Sequence, residues 1–321
     1  MLLVSRNNPE NHAMLKQVLG CESNSQPIKK VFFNKIYVTD CPGDEHLVLC
    51  DDPIAFIYAR IFHHKTKTHI RLWALQLWQH QVVVKGLKTL IRYFIFSIFA
   101  RISYFLCDSI LIPSETRRLH LYRKHPLSKL KFKSKVILNI PELSSENSYL
   151  DSGVYKKFAE FRAAYKTVLI YAGSLQVGRL LEDLLRGENL SKDIGILVCG
   201  SGSMEAKLRL AEKTNAGLLF LGNLDQSGLT YVYQHSDIGL LTYDNKLLNT
   251  RMCAPLKLWE YMFFNLTIVG NENEALLDEW SKYVDGYFGS VSDINALVEG
   301  MCRSSARKII PSFDYKSVIE V

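Results

Sequence analysis

The sequence predicts an α/β protein built as two doubly wound parallel-sheet domains. Three observations carry that prediction. Short apolar runs of strand length recur along the chain and alternate with segments of helical periodicity. The alternation occurs twice, on either side of a polar stretch at 142–153 that reads as a linker. The length, 321 residues, suits two domains of ordinary size.

In the first half, Met1-Leu2-Leu3-Val4 opens as a buried strand, and Asn7 or Asn8 caps a following helix with Pro9 and Glu10 in its first turn. Lys30–Phe33 and Leu47–Cys50 are the next strands. The second ends in Asp51-Asp52-Pro53, and Asp52 is placed to cap a helix over 54–62. Ile70–Trp73 is a strand, 83–107 a long helical stretch, and Ser109–Ile112 a strand leading into a helix start at Ser114-Glu115. Lys135–Pro141 closes this half.

In the second half a helix over 154–164 precedes strands at Thr167–Tyr171, Ile194–Val198, Gly217–Phe220, Asp237–Leu241 and Leu266–Val269. Helices fill the intervals at 179–187, 203–213, 228–235, 256–263 and 273–281, and 292–303 adds another. The halves share an architecture without a residue-level repeat. Two facing Rossmann-like domains are expected, with the site in the cleft between them.

An apolar share of 48% and a charged share of 22% are those of a soluble globular protein. The seven cysteines (21, 41, 50, 107, 199, 253, 302) form no CxxC pair and no metal-ligand spacing, which fits buried thiols in a reducing cytosol. Met1–Val4 runs at once into Ser5-Arg6-Asn7-Asn8-Pro9, which is not a secretory leader, so a cytoplasmic location is expected.

Charge is uneven. Residues 1–150 hold 21 Lys+Arg against 11 Asp+Glu, whereas the remainder holds 18 against 21. Within 85–135 there are 12 basic residues against Asp108 and Glu115 alone. A basic first half points to an anionic ligand or surface. The apolar stretch from Leu87 to Ile112 is broken by Arg92 and Arg101 and cannot span a bilayer. Burial in the core is the expectation for much of it, with a helix lying on an anionic membrane surface as the alternative. Nucleic acid is not expected, because no aromatic-interleaved motif accompanies the charge.

The stretch from Ala254 to Met262 concentrates the chemistry. Pro255 suits the first turn of a helix, and Leu258, Tyr261 and Met262 follow at helical spacing. Lys257 and Glu260 lie three apart on one face, a turn from an end whose free N–H groups attract phosphate. A surface Lys–Glu pair on an ordinary strand–helix–strand unit would read the same way. Upstream, Tyr171–Arg179 is a strand, a small-residue loop and a helix start: Gly173 and Ser174 let a ligand approach the backbone, and Arg179 brings a guanidinium. Gly200 ends another strand in a tight turn, and Asn223 follows Gly222 in a further one. A structural role competes at each.

Pro255-Leu256-Lys257-Leu258-Trp259-Glu260-Tyr261-Met262 resembles the P-x-K-x-x-E-Y-M element of GT-B glycosyltransferases. The resemblance is closest to the large retaining family (family 4-like) that includes many bacterial polysaccharide enzymes. It extends over most of 166–300 and more weakly over 1–150. It implies that Glu260 holds the donor's ribose, that the helix start at Pro255 and Leu256 holds its diphosphate, and that Gly173, Ser174, Gly200 and Asn223 line the donor. Arg179 and Lys257 would share the charge developing on the β-phosphate in place of a metal. The chain contains no D-x-D, and no metal or other cofactor is expected. Pro311–Tyr315 resembles the crossover segment of this fold, which gives an expected division of 1–150, 151–305 and a closing segment 306–321 that returns to the first domain.

The chain also departs from the family. Met252 stands where the first glutamate of a two-glutamate signature would lie, and Thr250 or Arg251 are the nearest substitutes. Ser5–Asn8 replaces a glycine-rich loop, and Trp73–Leu77 lacks the acidic and histidine residues of the acceptor side. Asp51, Asp52 and His80 are the polar residues left for that side. The expected function is transfer of a sugar from a UDP- or GDP-linked donor to a saccharide, lipid-linked in bacterial surface polysaccharide synthesis. The protein would be cytoplasmic and peripheral at the inner face of the plasma membrane through residues 85–135. A non-catalytic nucleotide-sugar-binding scaffold and a sugar-nucleotide epimerase are the alternatives.

Overall fold

The structure, a computed structural model, describes residues 2–5, 27–31, 34–41, 46–63, 68–74, 87–141, 143–145, 148–176, 178–180, 190–290, 293–300 and 310. The chain divides into two compact units between residues 142 and 143. The helix expected after Asn8, residues 181–187 of the helix expected over 179–187, and the closing segment expected over 306–321 apart from Ile310 lie outside the described residues, as does His80.

Unit 1 holds a seven-stranded sheet in the order β2-β3-β1-β4-β5-β6-β7. Its strands are β1 (Leu2–Ser5), β2 (Pro27–Val31), β3 (Asn34–Asp40), β4 (Leu47–Cys50), β5 (His69–Trp73), β6 (Ser109–Ile112) and β7 (Ser134–Val136). From β1 through β4 to β7 every pairing is parallel, as the alternation predicts. The exception is β3, which runs antiparallel to both β2 and β1. Two residues separate β2 from β3, too few for the crossover that a parallel pair needs, so the single strand expected at Lys30–Phe33 is one arm of a hairpin.

Helix α1 (Pro53–Phe62) follows β4. The Asp52 carboxylate accepts from the N–H groups of Ile54 (2.8 Å) and Ala55 (2.9 Å), and Pro53 takes the first helical position. α1 packs on α2 (Leu87–Leu106), where Ser103 Oγ donates to the Phe99 carbonyl at 2.7 Å in the turn above. α2 is not the core helix expected: Ala100, Ser103 and Tyr104 are buried, while an apolar stripe along its other side faces solvent. Among the described residues α3 (Glu115–Lys124), capped by Ser114, and the short α4 (Leu130–Lys133) follow.

Unit 2 holds a six-stranded, wholly parallel sheet in the order β10-β9-β8-β11-β12-β13. The strands are β8 (Thr167–Ala172), β9 (Ile194–Cys199), β10 (Leu218–Gly222), β11 (Ile238–Leu241), β12 (Thr267–Asn271) and β13 (Gly286–Phe288). The helices are α5 (Ser152–Ala164), α6 (Glu205–Thr214), α7 (Gln226–Gln234), α8 (Leu248–Arg251), α9 (Leu256–Phe263), α10 (Glu274–Leu277) and α11 (Asp293–Gly300). The central strands β9 and β11 are buried along their whole length, as strands covered on both faces must be. Leu169, Tyr171, Ile196, Val198, Phe220 and Leu240 form the centre of one face's core.

The chain winds outward from β8 to β10, returns, and winds the other way from β11 to β13. The reversal lies between β8 and β11, and a crevice opens at the carboxyl ends of strands at such a point. The polar stretch expected as a linker belongs to this unit. The Ser144 and Ser145 carbonyls accept from Thr230 and Gln234 of α7, and the Tyr149 N–H donates to Ser227. The helix expected over 273–281 is shorter than read, and ends after Leu277.

Candidate functional site

Three strand ends in unit 2 are locked together through main chain. The Gly173 N–H donates to the Cys199 carbonyl (2.9 Å), and the Gly200 N–H donates to the Gly222 carbonyl (2.7 Å). Gly173 and Gly200 have φ of 133° and 134°, conformations open to glycine, and a Cβ on Gly200 would fall 1.8 Å from the Gly173 carbonyl oxygen. Leu175 N–H donates to Ser201, and Met204 N–H to Leu175, which fixes the rest of both loops. Ser174 and Asn223 are exposed beside them.

Across the reversal point stands α9. Its burial comes from Leu258, Trp259, Tyr261 and Met262 on one side. The Tyr261 ring packs against Gly239, and its hydroxyl accepts from the Ala172 N–H (3.4 Å) and has the carbonyls of Ile170 (3.2 Å) and Leu240 (3.3 Å) as acceptors for its own proton. The helix thereby ties β8 to β11 where they diverge. Pro255 is not the first helical residue expected but the residue before it: its ψ of 115° is extended, and no side chain caps the helix. The Leu258 N–H turns back to the Pro255 carbonyl (3.3 Å), and the N–H groups of Leu256 and Lys257 are the ones left for a ligand or water.

Lys257 enters this corner from α9 and is buried. Its ammonium lies 3.8 Å from the centre of the Tyr171 ring and 5.9 Å from that of Tyr243. Arg179 lies over the Tyr243 ring as well, its guanidinium carbon 4.6 Å from the ring centre. Burial, reinforced by the nearby Arg179, pushes Lys257 well below the usual lysine range, against the pull of Glu260 and Cys253. Glu260, one turn on, accepts from the Tyr233 hydroxyl at 2.8 Å; burial raises its carboxyl, while Tyr233 and Lys257 oppose the rise. Arg179 sits in a turn rather than at a helix start, since Leu180 after it is left-handed with φ 49°.

The structure therefore brings Gly173, Gly200, Arg179, Lys257 and Glu260 to one edge of the unit 2 sheet, with Pro255 and Leu256 at the adjoining helix end. Two basic side chains share a corner with only the Glu260 carboxylate near them, and an anion there would favour the charged form of Lys257. The sequence reading missed the three tyrosines that seat these charges, Tyr171, Tyr233 and Tyr243. It also missed Asn271 and Asn273. Asn271 exchanges two hydrogen bonds with the Tyr243 main chain (2.8 and 2.9 Å), and Asn273 donates to the Thr250 carbonyl while capping α10. Their signal was an asparagine pair at the end of a strand, beside the reversal point.

Thr250, a suggested substitute for the missing glutamate, is buried and donates to Asp244 Oδ1 at 2.7 Å. Arg251, the other, pairs with Glu274 at 3.5 Å. In unit 1, Asp52 is committed to its helix cap, and Asp51 is buried with Ser5 Oγ donating to it at 2.8 Å. Among the described residues no group of three His, Cys, Asp or Glu side chains is placed to hold a metal ion.

The fold is that of the GT-B glycosyltransferases. Among solved structures it is similar to HepE of Anabaena in complex with UDP-glucose (TM-score 0.55, 11% identity, 79% of this chain and 68% of that one). It is also similar to sucrose-phosphate synthase from Thermosynechococcus elongatus (TM-score 0.55, 13% identity, 79% and 63%). WaaG, a glycosyltransferase involved in lipopolysaccharide biosynthesis, follows at TM-score 0.51 and 10% identity, over 78% of this chain and 67% of that one. The chain thus spans about two thirds of the length of these proteins. No family model and no curated relative matches it in sequence.

Proposed function

We propose that the chain is a nucleotide-diphosphate-sugar glycosyltransferase, retaining and metal-independent, of the family 4-like kind. The observation that carries this reading is the Gly173–Lys257–Arg179 corner at the sheet's reversal point, with Glu260 one helical turn away. There Lys257, Arg179 and the N–H groups of Leu256 and Lys257 at the start of α9 would meet the diphosphate, and Glu260 the ribose hydroxyls. As the bond from the anomeric carbon to the diphosphate breaks, Lys257 and Arg179 would stabilise the charge left on the β-phosphate, and the acceptor hydroxyl would pass its proton to the departing diphosphate oxygen as the new bond to the anomeric carbon forms.

The acceptor in this reading is a saccharide, carried on a lipid at the inner face of a plasma membrane in bacterial surface polysaccharide synthesis. HepE crystallised with UDP-glucose makes a UDP-linked donor the first to try, ahead of GDP. The absence of the first signature glutamate at Met252 favours a second reading, a scaffold that binds donor without turnover. Calorimetric titration with UDP, GDP, ADP and CMP, repeated on Glu260→Ala and Arg179→Ala, tests the donor site. Tight binding of one nucleoside diphosphate, lost in both variants, supports it; no binding of any refutes it. Slow hydrolysis of the matching sugar nucleotide, unaffected by EDTA, separates the enzyme from the scaffold.

A further inference from the structure

We propose that one face of unit 1, formed by α2 and the segment 123–135, docks on an anionic lipid surface. This names the membrane partner of the reading above, yet it takes its evidence from unit 1 alone, so vesicle binding and nucleotide binding fail separately. Leu87, Ile91, Phe94, Ile98, Ile102 and Phe105 recur at intervals of three and four residues and form one stripe along the 20-residue helix. The stripe is open to solvent, with Phe94 57%, Ile98 52% and Phe105 61% exposed, while Ala100, Ser103 and Tyr104 on the opposite side are buried. Among the described residues nothing covers it. A contiguous apolar surface of this kind is unusual on a protein without a partner for it.

A second segment with exposed apolar and basic side chains adjoins the C-terminal end of the helix. Lys133 donates to the carbonyls of Phe105 (3.0 Å) and Cys107 (2.9 Å), which brings the 123–135 segment against the C-terminus of α2. Tyr104 and His125 are in ring contact there, at 5.0 Å between centres. That segment adds Leu127 and Phe132, 84% and 85% exposed, beside the exposed Arg123, Lys124, Lys129 and Lys135. Arg101 is exposed at the edge of the stripe itself.

The charge decides the occupant. The two acidic residues of 85–135 are both engaged: Glu115 with Arg118, and Asp108 as acceptor of the Ile70 N–H at 2.7 Å. A second copy of the chain would bring a like-charged rim against this one. Nucleic acid would match the charge and leave the aliphatic stripe in water. An anionic bilayer takes both, the rings and aliphatic groups entering the acyl boundary and the cations resting among the headgroups. No helix among the described residues is long and apolar enough to cross a membrane. Helix α2 lies on the surface in this arrangement.

The test is co-sedimentation of the full chain with phosphatidylcholine vesicles, with and without about one third phosphatidylglycerol, in low and high salt. Retention on the anionic vesicles alone, falling as salt rises, is expected. The triple variant Phe94→Ser/Ile98→Ser/Phe105→Ser should lose at least about tenfold in vesicle affinity, and each of Lys124→Glu and Lys129→Glu at least about fivefold. All these positions are exposed, and an unchanged circular dichroism spectrum confirms folding. Equal binding by the triple variant, or no binding by the parent chain, overturns the proposal. A dimer in sedimentation velocity that the triple variant abolishes overturns it in favour of self-association, as does salt-sensitive binding of a mixed-sequence oligonucleotide in preference to the vesicles.

Discussion

The stem of Lys257 occupies the space that a side chain on Gly173 would need: a Cβ there would stand 2.5 Å from Lys257 Cε and 3.0 Å from Nζ. The glycine at the end of β8 and the lysine of α9 are thus halves of one fitting. Gly173→Ala combines that clash with a φ of 133°, at which an L side chain is strained by about 1–3 kcal/mol. The expected result is a folded protein whose affinity for its nucleoside diphosphate falls at least about tenfold, measured by calorimetry.

Lys257 also sets a pH signature. Because burial and Arg179 hold it well below the usual lysine range, the unfolded chain binds a proton at pH values where the folded chain does not. Stability therefore rises with pH from the depressed folded value up to the ordinary lysine value, and the desolvation penalty is fully present below that window. Lys257→Met should flatten this rise in thermal melts taken across alkaline pH. The same variant should bind nucleoside diphosphate about 10- to 100-fold more weakly, the worth of a charge-assisted hydrogen bond. A bound diphosphate favours the charged lysine, so titrations of the parent protein at pH values within that window, in two buffers of different ionisation enthalpy, should reveal proton uptake, absent in the variant.

Tyr233→Phe removes the donor to Glu260 Oε2. Loss of the hydrogen bond should lower stability by about 1 kcal/mol and leave the carboxylate free to turn. In the ribose-holding role, nucleoside diphosphate should bind several-fold more weakly while inorganic pyrophosphate binding is unchanged. An equal loss for both ligands would assign Glu260 to the phosphate corner or to structure alone.

Gly239→Ala probes the fold at the same place. A Cβ at this position would meet the Tyr261 ring at 2.3 Å, in a buried strand with no slack. Displacing Tyr261 should cost about 1–3 kcal/mol, read as a lowered denaturation midpoint. Nucleotide binding should weaken with it, because Tyr261 holds β8 and β11 together.

The second unit was legible almost strand by strand, because a parallel sheet covered on both faces writes itself as uninterrupted apolar runs such as Val168–Tyr171 and Ile196–Val198. Lys257 and Glu260 were legible as a spacing on one helix, and Gly173 and Gly200 as small residues after strands. The seats of those charges were not. Tyr171, Tyr233 and Tyr243 are ordinary core aromatics by pattern, and only the packing of β8, β11 and α7 around α9 gives them roles. Unit 1 misled in two places: the β2–β3 hairpin hid in a run read as one strand, and α2 was read as core. Apolar periodicity states that a face is to be covered and does not say by what.

Lys257 and Gly173 lie on opposite sides of the sheet's reversal, one borne by the β11–β13 lobe and the other by β8–β10. Each lobe is assembled from neighbouring strands close in sequence, whereas the seam between β8 and β11 joins segments some seventy residues apart. The corner that would seat the diphosphate therefore comes into being only when that seam closes. A nucleotide held there would act as a clasp across the strand junction of longest sequence separation in the unit, favouring the closed sheet over every partly assembled form.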